Sequence, residues 1–453
     1  MTRLLIVGNG PAAHRFVGQA HRRGYRGTIT VLGAEPVAAY NRVLLPSVLA
    51  GVLPPAAVAL PGPPGTADVR LGVTAVAVDR RRRLVLTGDG HGYPYDHLVL
   101  ATGARARVPA VAGLRRVDGR PHPRVRVVRA LDDCTNLPAG RVVVLGAGVL
   151  GVEVAAALRA AGRAVSLVHC HPAPMNRQLD PAAGGMLVRH LESARVEVLL
   201  DGRAVEYRRG VLRLADGRRL PADVLLLCVG AEPDTRLARR AGLEVRHGVV
   251  VDARLRTSDP RISAIGDCAE LDGVVAGRVT VAWEQADTLA AVLTGEPARH
   301  RPSRPLTRLC AGGVDVAAIG PTDVPDGQTV LLSDPVRGRY ARVTLRHERV
   351  ARAVVVGLPH AAAALTQLYD RDTPLPGGML GLLLGAAGCD DPDYEMPAEA
   401  VICMCNNVTK QALHDAWHEW GARDVGALAT ATRATTGCGR CVDVVRRICE
   451  ALR

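Results

Sequence analysis

Short apolar runs that break at glycine recur along this chain. Leu4-Leu5-Ile6-Val7 stops at Gly8, and a stretch of helical spacing follows to about Arg23. A second run, Thr28-Ile29-Thr30-Val31-Leu32, ends just before Glu35. Continuous apolar runs of this length mark buried strands, and the order strand, helix, strand predicts a βαβ unit. The pattern returns at 141–168. There Val142-Val143-Val144-Leu145 meets Gly146-Ala147-Gly148, a helix runs to about Ala161, and Val165-Ser166-Leu167-Val168 follows. The two units form an internal repeat.

Other runs fill in the plan. Residues 69–79 and 84–86 read as hairpins, and Leu98-Val99-Leu100 closes on Ala101-Thr102-Gly103. The buried run 223–230 ends in Gly230, and 262–268 stops at Gly266-Asp267. Alternating segments from about 304 to 357 predict a small, mostly β domain, and 358–400 reads as a connector with one short helix. The last part is compact, helical and Cys-bearing. The predicted fold class is α/β: two Rossmann-like dinucleotide-binding domains, a small α+β domain, and a small helical domain at the C-terminal end.

The glycine loops carry chemistry. A pyrophosphate needs close backbone approach and the positive end of a helix. Gly8 and Gly10 remove side chains at the first turn, Ala13 lets helix pack on strand, and Glu35 stands where ribose hydroxyls need an acceptor. Gly146, Gly148 and Gly151 repeat the motif in full. At the end of the second unit's last strand, however, His169 occupies the place of the acid that would name NAD, and no Arg there asks for a 2′-phosphate. The loop therefore leaves the choice between NADH and NADPH open; NADH is the donor favoured here. His169 is a candidate ribose contact or a solvent-facing loop residue.

The second constellation is four cysteines. Cys403-Met404-Cys405 and Cys438-Gly439-Arg440-Cys441 present two thiolate pairs about 30 residues apart, suited to zinc or to an iron–sulfur cluster. The C-x-C pair is tight for structural zinc. Thr409 reads as the N-cap of a following helix. Cys134, Cys170, Cys228, Cys268, Cys310, Cys389 and Cys449 read as structural.

Charge changes the picture little. The net charge is +13, carried almost wholly by Arg, with Lys410 the single lysine. Aromatics are 3% of the chain, and the arginines lack the aromatic interleaving of a single-strand binder, so no nucleic-acid partner is expected. The run Arg80–Arg83 reads as a solvated hairpin tip. No apolar stretch approaches bilayer length; the 11 cysteines are an odd count, and seven of them are scattered without pairing rhythm. A cytoplasmic protein without membrane contact is the expectation; homo-oligomer formation is left open.

These motifs resemble the pyridine nucleotide–disulfide oxidoreductase superfamily over about 1–357, and 401–453 resembles the bacterioferritin-associated ferredoxin module. The resemblance implies that the first unit holds FAD and the second NAD(P)H. It makes Ala101, Thr102, Gly103, Gly230 and Asp267 further cofactor contacts. It also makes Cys403, Cys405, Cys438 and Cys441 the ligands of a [2Fe-2S] cluster. The implied domains are FAD-binding at 1–120 and 245–300, NAD(P)H-binding at 121–244, small α+β at 301–357, connector at 358–400, and the [2Fe-2S] domain at 401–453. Arg42 could contact flavin phosphate; Glu153 and Glu284 could line the nicotinamide pocket as catalytic residues, or be surface ion pairs and helix caps. No Cys precedes Cys134, so the flavin-side thiols of disulfide reductases are missing and Tyr40–Ser47 fills their place.

Segments such as Tyr40-Asn41-Arg42-Val43-Leu44-Leu45, Met175–Asp180 and Trp283-Glu284-Gln285-Ala286 narrow the resemblance. It extends to the electron-entry half of NADH-dependent nitrite reductase large subunits and to electron-transfer subunits of assimilatory nitrate reductases. That implies an NAD(P)H-dependent FAD oxidoreductase serving a separate nitrate or nitrite reductase catalytic subunit. Alternatives are a reductase for another ferredoxin or flavin acceptor, and an iron- or redox-sensing protein.

Overall fold

The computed structural model describes residues 2–62, 67–116, 118, 122–301, 304–311, 313–375, 383, 398, 400–403, 406, 408–436 and 441–452. The chain forms two compact units.

The first unit comprises Met1–Arg42, Val58–Arg107 and Ala231–Ser303. Its centre is a five-stranded sheet in the order Ile262–Ala264, His97–Leu100, Arg3–Val7, Thr28–Gly33, Asp68–Leu71, parallel throughout. Parallel sheets are covered on both faces, which explains the unbroken apolar runs. Helices Pro11–Arg22 and Val279–Leu293 pack together there and bury Phe16, Val17, Ala286 and Leu289. Residues 69–71, expected in a hairpin, instead extend the parallel sheet; the antiparallel piece is Ala75–Asp79, Leu84–Thr87 and Gly92–Pro94. Of the four consecutive arginines, Arg81, Arg82 and Arg83 are exposed at the turn, but Arg80 pairs with Asp259 at 2.8 Å.

The second unit comprises Val43–Ala57, Val108–Gly230 and Arg304–Arg453. A second parallel sheet runs in the order Glu197–Leu199, Val165–Val168, Val142–Leu145, Val224–Leu227, Val125–Val127. An antiparallel sheet, Leu306–Ala311, Val314–Ile319, Arg349–Val356, Arg339–Arg346, Gln328–Asp334, forms the small α+β part. The helix Pro359–Arg371, placed in the connector by sequence, lays Ala361, Ala362, Leu365 and Leu368 into the core of that sheet. This part is tied to the nucleotide sheet by the Tyr340 hydroxyl, which donates to Asp180 at 2.9 Å.

The C-terminal module pairs Val401–Cys403 with Val408–Thr409, then folds into helices Lys410–His418, Val425–Thr432 and Val442–Ala451. Thr409 is an N-cap: its hydroxyl accepts the Ala412 N–H at 3.1 Å. Cys449 is buried on the last helix. Among the described residues no helix is long and apolar enough to cross a membrane.

Candidate functional site

Two glycine loops share one geometry. In each, the N–H of the first glycine donates to the end of the neighbouring strand: Gly8 to Leu32 at 2.8 Å, Gly146 to Val168 at 2.7 Å. In each, the third strand closes back on the first: Ala101 donates to Val7 and Cys228 to Leu145, both at 2.8 Å. A Cβ on Gly8 would lie 2.1 Å from the Ala101 carbonyl oxygen, and one on Gly146 2.5 Å from that of Cys228. Both glycines have φ above +100°, so no other residue fits without strain.

The next positions, Gly10 and Gly148, face open space. They are the N-caps of Pro11–Arg22 and Val149–Ala160, and neither helix start is capped by a side chain. Bare N–H groups at a helix start, reached through a glycine, fit a pyrophosphate. The loops differ at the third position. Ala13 is fully buried and tolerated, whereas a Cβ on Gly151 would meet the Gly146 carbonyl at 1.8 Å.

Around the first loop, Gly266 lies against Ala12, 3.1 Å from its Cβ when a Cβ is built on it, and its N–H donates to buried Gln285 at 2.7 Å. That brings Asp267, on the turn Gly266–Cys268, beside the start of the first helix. Thr102 donates to the Asp234 carbonyl at 2.6 Å and Asp234 N–H to Gly103 at 2.9 Å, fixing the crossing. Glu35 is engaged at both oxygens, by Arg42 at 2.5 Å and by the Tyr40 hydroxyl at 2.7 Å. Arg42 also donates to the Tyr40 hydroxyl at 2.8 Å and lies over its ring. The guanidinium expected on a flavin phosphate thus rests on the carboxylate expected to hold a ribose.

His169 is buried rather than solvent-facing. Its Nδ1 accepts the Ala147 N–H at 3.2 Å, which leaves the proton on Nε2, 3.3 Å from the Asn176 side-chain oxygen. Burial, and to a lesser degree His171, hold its pKa below the ordinary histidine range against Asn176 and Asp201. A neutral imidazole therefore braces the loop. Sequence reasoning missed this role, though the signal was there: an acceptor at the strand end, in register with the loop.

Gly230 has φ +100° just beyond Val224–Leu227, the strand beside the central strand of the second unit's sheet. Glu153 is half-buried on Val149–Ala160 in the second unit, and Glu284 is exposed on Val279–Leu293 in the first. Buried Cys134 and Cys228 are pushed up to about 12, chiefly by desolvation, so neither is a thiolate at neutral pH. Cys268 is raised for the same reason, and Cys170 is exposed.

In the C-terminal module Cys403 and Cys441 are both buried. The Thr435 N–H donates to the Cys441 sulfur at 3.1 Å, and Asn406 donates to the Arg433 carbonyl at 2.7 Å. A buried cysteine pair with an N–H aimed at sulfur is a donor set suited to a cluster. Cys405, Cys438 and Cys389, and the side chain of Cys310, lie outside the described residues.

Two bare helix N-termini set on twin parallel sheets, with a thiolate module appended, define a dinucleotide-dependent oxidoreductase. Residues 2–286 match the family model for pyridine nucleotide-disulphide oxidoreductase, and 401–451 match that for the BFD-like [2Fe-2S] binding domain. The chain belongs to the pyridine nucleotide-disulphide oxidoreductase family; it is an NAD(P)H-dependent FAD oxidoreductase with a [2Fe-2S] domain. It is 30% identical, over 99% of its length, to nitrite reductase [NAD(P)H] of Bacillus subtilis, covering 57% of that protein. It is 29% identical, over 98% of its length, to the assimilatory nitrate reductase electron transfer subunit of the same organism, covering 59%. The chain thus spans somewhat more than half the length of these curated relatives. A ferredoxin reductase from Rhodopseudomonas palustris, 28% identical, superposes with a TM-score of 0.75 over 85% of this chain and all of that one.

Proposed function

We propose that this chain takes electrons from NAD(P)H, NADH being the favoured donor, and delivers them through its C-terminal module to a nitrate- or nitrite-reducing catalytic subunit on another polypeptide. One observation carries the reading: two nucleotide-binding helix starts share a chain with a buried cysteine module, and no Cys precedes Cys134. Electrons entering at the flavin then have Cys403, Cys405, Cys438 and Cys441 as their outlet. Similarity over nearly the whole chain to two nitrogen-oxide reductase proteins supports the choice of acceptor. The setting is the cytoplasm, where NAD(P)H is available.

Bound FAD would supply the conversion of a two-electron hydride into single electrons. This chain's residues do the binding and orienting. The Gly8–Ala13 turn and its helix start hold the flavin pyrophosphate, with Glu35, Arg42, Ala101–Gly103 and Asp267 around it. The Gly146–Gly151 turn, braced by His169, holds that of the nicotinamide nucleotide, with Gly230 at its edge. Glu153 in the second unit and Glu284 in the first are, each within its own unit, the candidate carboxylates for the nicotinamide side. Hydride transfer needs positioning above all, so no acid–base pair is required.

The test is anaerobic titration with NADH, followed by flavin absorbance and electron paramagnetic resonance. Flavin bleaching followed by a reduced-cluster signal, with nitrate and nitrite untouched until the catalytic subunit is added, is the expected result. Stoichiometric zinc in place of iron, or nitrate turnover by this chain alone, would overturn it.

A further inference from the structure

The short turn between the helices Val425–Thr432 and Val442–Ala451 does more than connect them. Arg433 and Thr435 both adopt the left-handed conformation, at φ 66° and 69°. That is uncommon for residues with a Cβ and is kept only where surroundings dictate it. Here the turn stitches the two halves of the cysteine constellation. Asn406, next to Cys405, donates its side-chain amide to the Arg433 carbonyl at 2.7 Å and to the Thr436 hydroxyl at 3.2 Å. From the same turn, the Thr435 N–H reaches the Cys441 sulfur at 3.1 Å. The Arg433 side chain then leaves the module. Its guanidinium donates to the carbonyl of Ala57 at 2.8 Å.

Ala57 lies in the single turn Pro55–Val58, at the end of the segment Val43–Ala57 of the same unit. That segment's helix, Leu45–Leu49, packs on Val149–Ala160, the helix of the second nucleotide loop. A half-buried, charged donor on a helix-end carbonyl is a strong, directional contact. One continuous line of bonded groups therefore runs from the Cys441 sulfur through the 433–436 turn to the body of the second unit.

We propose that Arg433 is a positioning residue that seats the [2Fe-2S] module on the segment 43–57 of its own unit and so sets how readily the module takes up electrons. The proposal rests on the electron-outlet reading above. Each NAD(P)H leaves as NAD(P)+; its two electrons pass singly through the module to a one-electron acceptor reduced twice, and one proton goes to solvent. The segment that carries family thiols in disulfide reductases serves here as the seat of the alternative outlet.

The experiment uses the full chain with Arg433→Met, which keeps the stem and loses the donors, and Arg433→Lys, which restores one. In Arg433→Met, iron content, the spectrum of the chemically reduced cluster and its midpoint potential stay as in wild type. Cluster reduction driven by NADH slows at least tenfold, while flavin reduction, measured in the same mixing experiment, is the internal control. Hydrogen exchange at 55–58 and 425–436 speeds up. Arg433→Lys recovers most of the rate and the protection. Asn406→Ala behaves differently: it frees the turn, weakens the Thr435 bond to sulfur and lowers the midpoint potential. Cluster reduction in Arg433→Met within twofold of wild type, or loss of iron with the rate, would sink the proposal. If wild-type cluster takes no electrons from NADH, the outlet reading has failed instead, and exchange at 55–58 alone decides whether Arg433 seats the module.

Discussion

His169 accepts the backbone N–H of Ala147 through Nδ1 at 3.2 Å, joining the end of one strand to the glycine loop of the strand beside it. An acid at this place would brace the loop with a negative charge; a neutral imidazole does so without one. His169→Ala leaves the Ala147 N–H without its acceptor, a loss of about 1 kcal/mol or more. KM for NADH should rise roughly fivefold or more by that arithmetic, with ferricyanide as acceptor, and kcat should change less. His169→Asn, whose oxygen falls near the place of Nδ1, should recover most of the loss.

The same bond gives a pH dependence. The folded pKa of His169 is depressed by burial, with His171 adding to it and Asn176 and Asp201 opposing. The bond is intact above the ordinary histidine value and is lost as pH falls through the lower folded value, because the protonated ring has no acceptor at Nδ1. KM for NADH should therefore climb as pH drops below that range in wild type and stay flatter in His169→Asn. Equal profiles would place the titration elsewhere.

The twin loops separate by substitution. Gly8→Ala forces a Cβ to 2.1 Å from the Ala101 carbonyl, and Gly151→Ala forces one to 1.8 Å from that of Gly146. Both neighbours are backbone, so the loops must deform. Gly8→Ala should yield protein depleted in flavin. Gly151→Ala should keep its flavin and lose NADH-driven bleaching by more than tenfold. Flavin loss in both would mean that the loops do not divide the two nucleotides as assigned.

Glu35, Tyr40 and Arg42 form one hydrogen-bonded cluster. The ion pair is a quarter exposed at Arg42 and a third at Glu35 and contributes at most about 1 kcal/mol to folding. Its value lies in holding the carboxylate in place. Glu35→Gln should weaken FAD retention about tenfold, as expected for loss of a charge-assisted bond, whereas Tyr40→Phe should weaken it only a few-fold. Free FAD fluorescence after dilution reads both.

The nucleotide loops were legible because two strong constraints print themselves on sequence. Strands buried on both faces read as unbroken apolar runs, and a crossing that admits no Cβ demands Gly8 and Gly146. The C-terminal domain was legible from the spacing of its cysteines. Long-range partners left no such trace. The link from His169 to Ala147 spans 22 positions, that from Arg433 to Ala57 spans 376, and local pattern is silent about both. The segment 43–57 reads as part of the first unit yet packs with the second. The helix Pro359–Arg371 reads as part of a connector because its stretch of sequence is rich in alanine, and only the sheet beneath it gives Ala361, Ala362, Leu365 and Leu368 a core.

Tyr340 and Asp180 extend that point to stability. One carboxylate oxygen of Asp180 caps the helix Pro181–Ser193, accepting from Ala182 and Ala183 at 3.1 Å each. The other accepts the Tyr340 hydroxyl, and burial first, then Asp180, holds that phenol well above its ordinary range. Tyr340→Phe removes one hydrogen bond and should cost about 1 kcal/mol. Asp180→Ala removes the cap as well and strands the hydroxyl, so roughly 2–3 kcal/mol is expected. The double variant should cost less than the sum, because the two single changes break the same bond. Thermal midpoints of the four proteins, compared at one pH, measure the coupling. Strict additivity would show that the small sheet is held to the nucleotide sheet by other contacts and that this pair only touches.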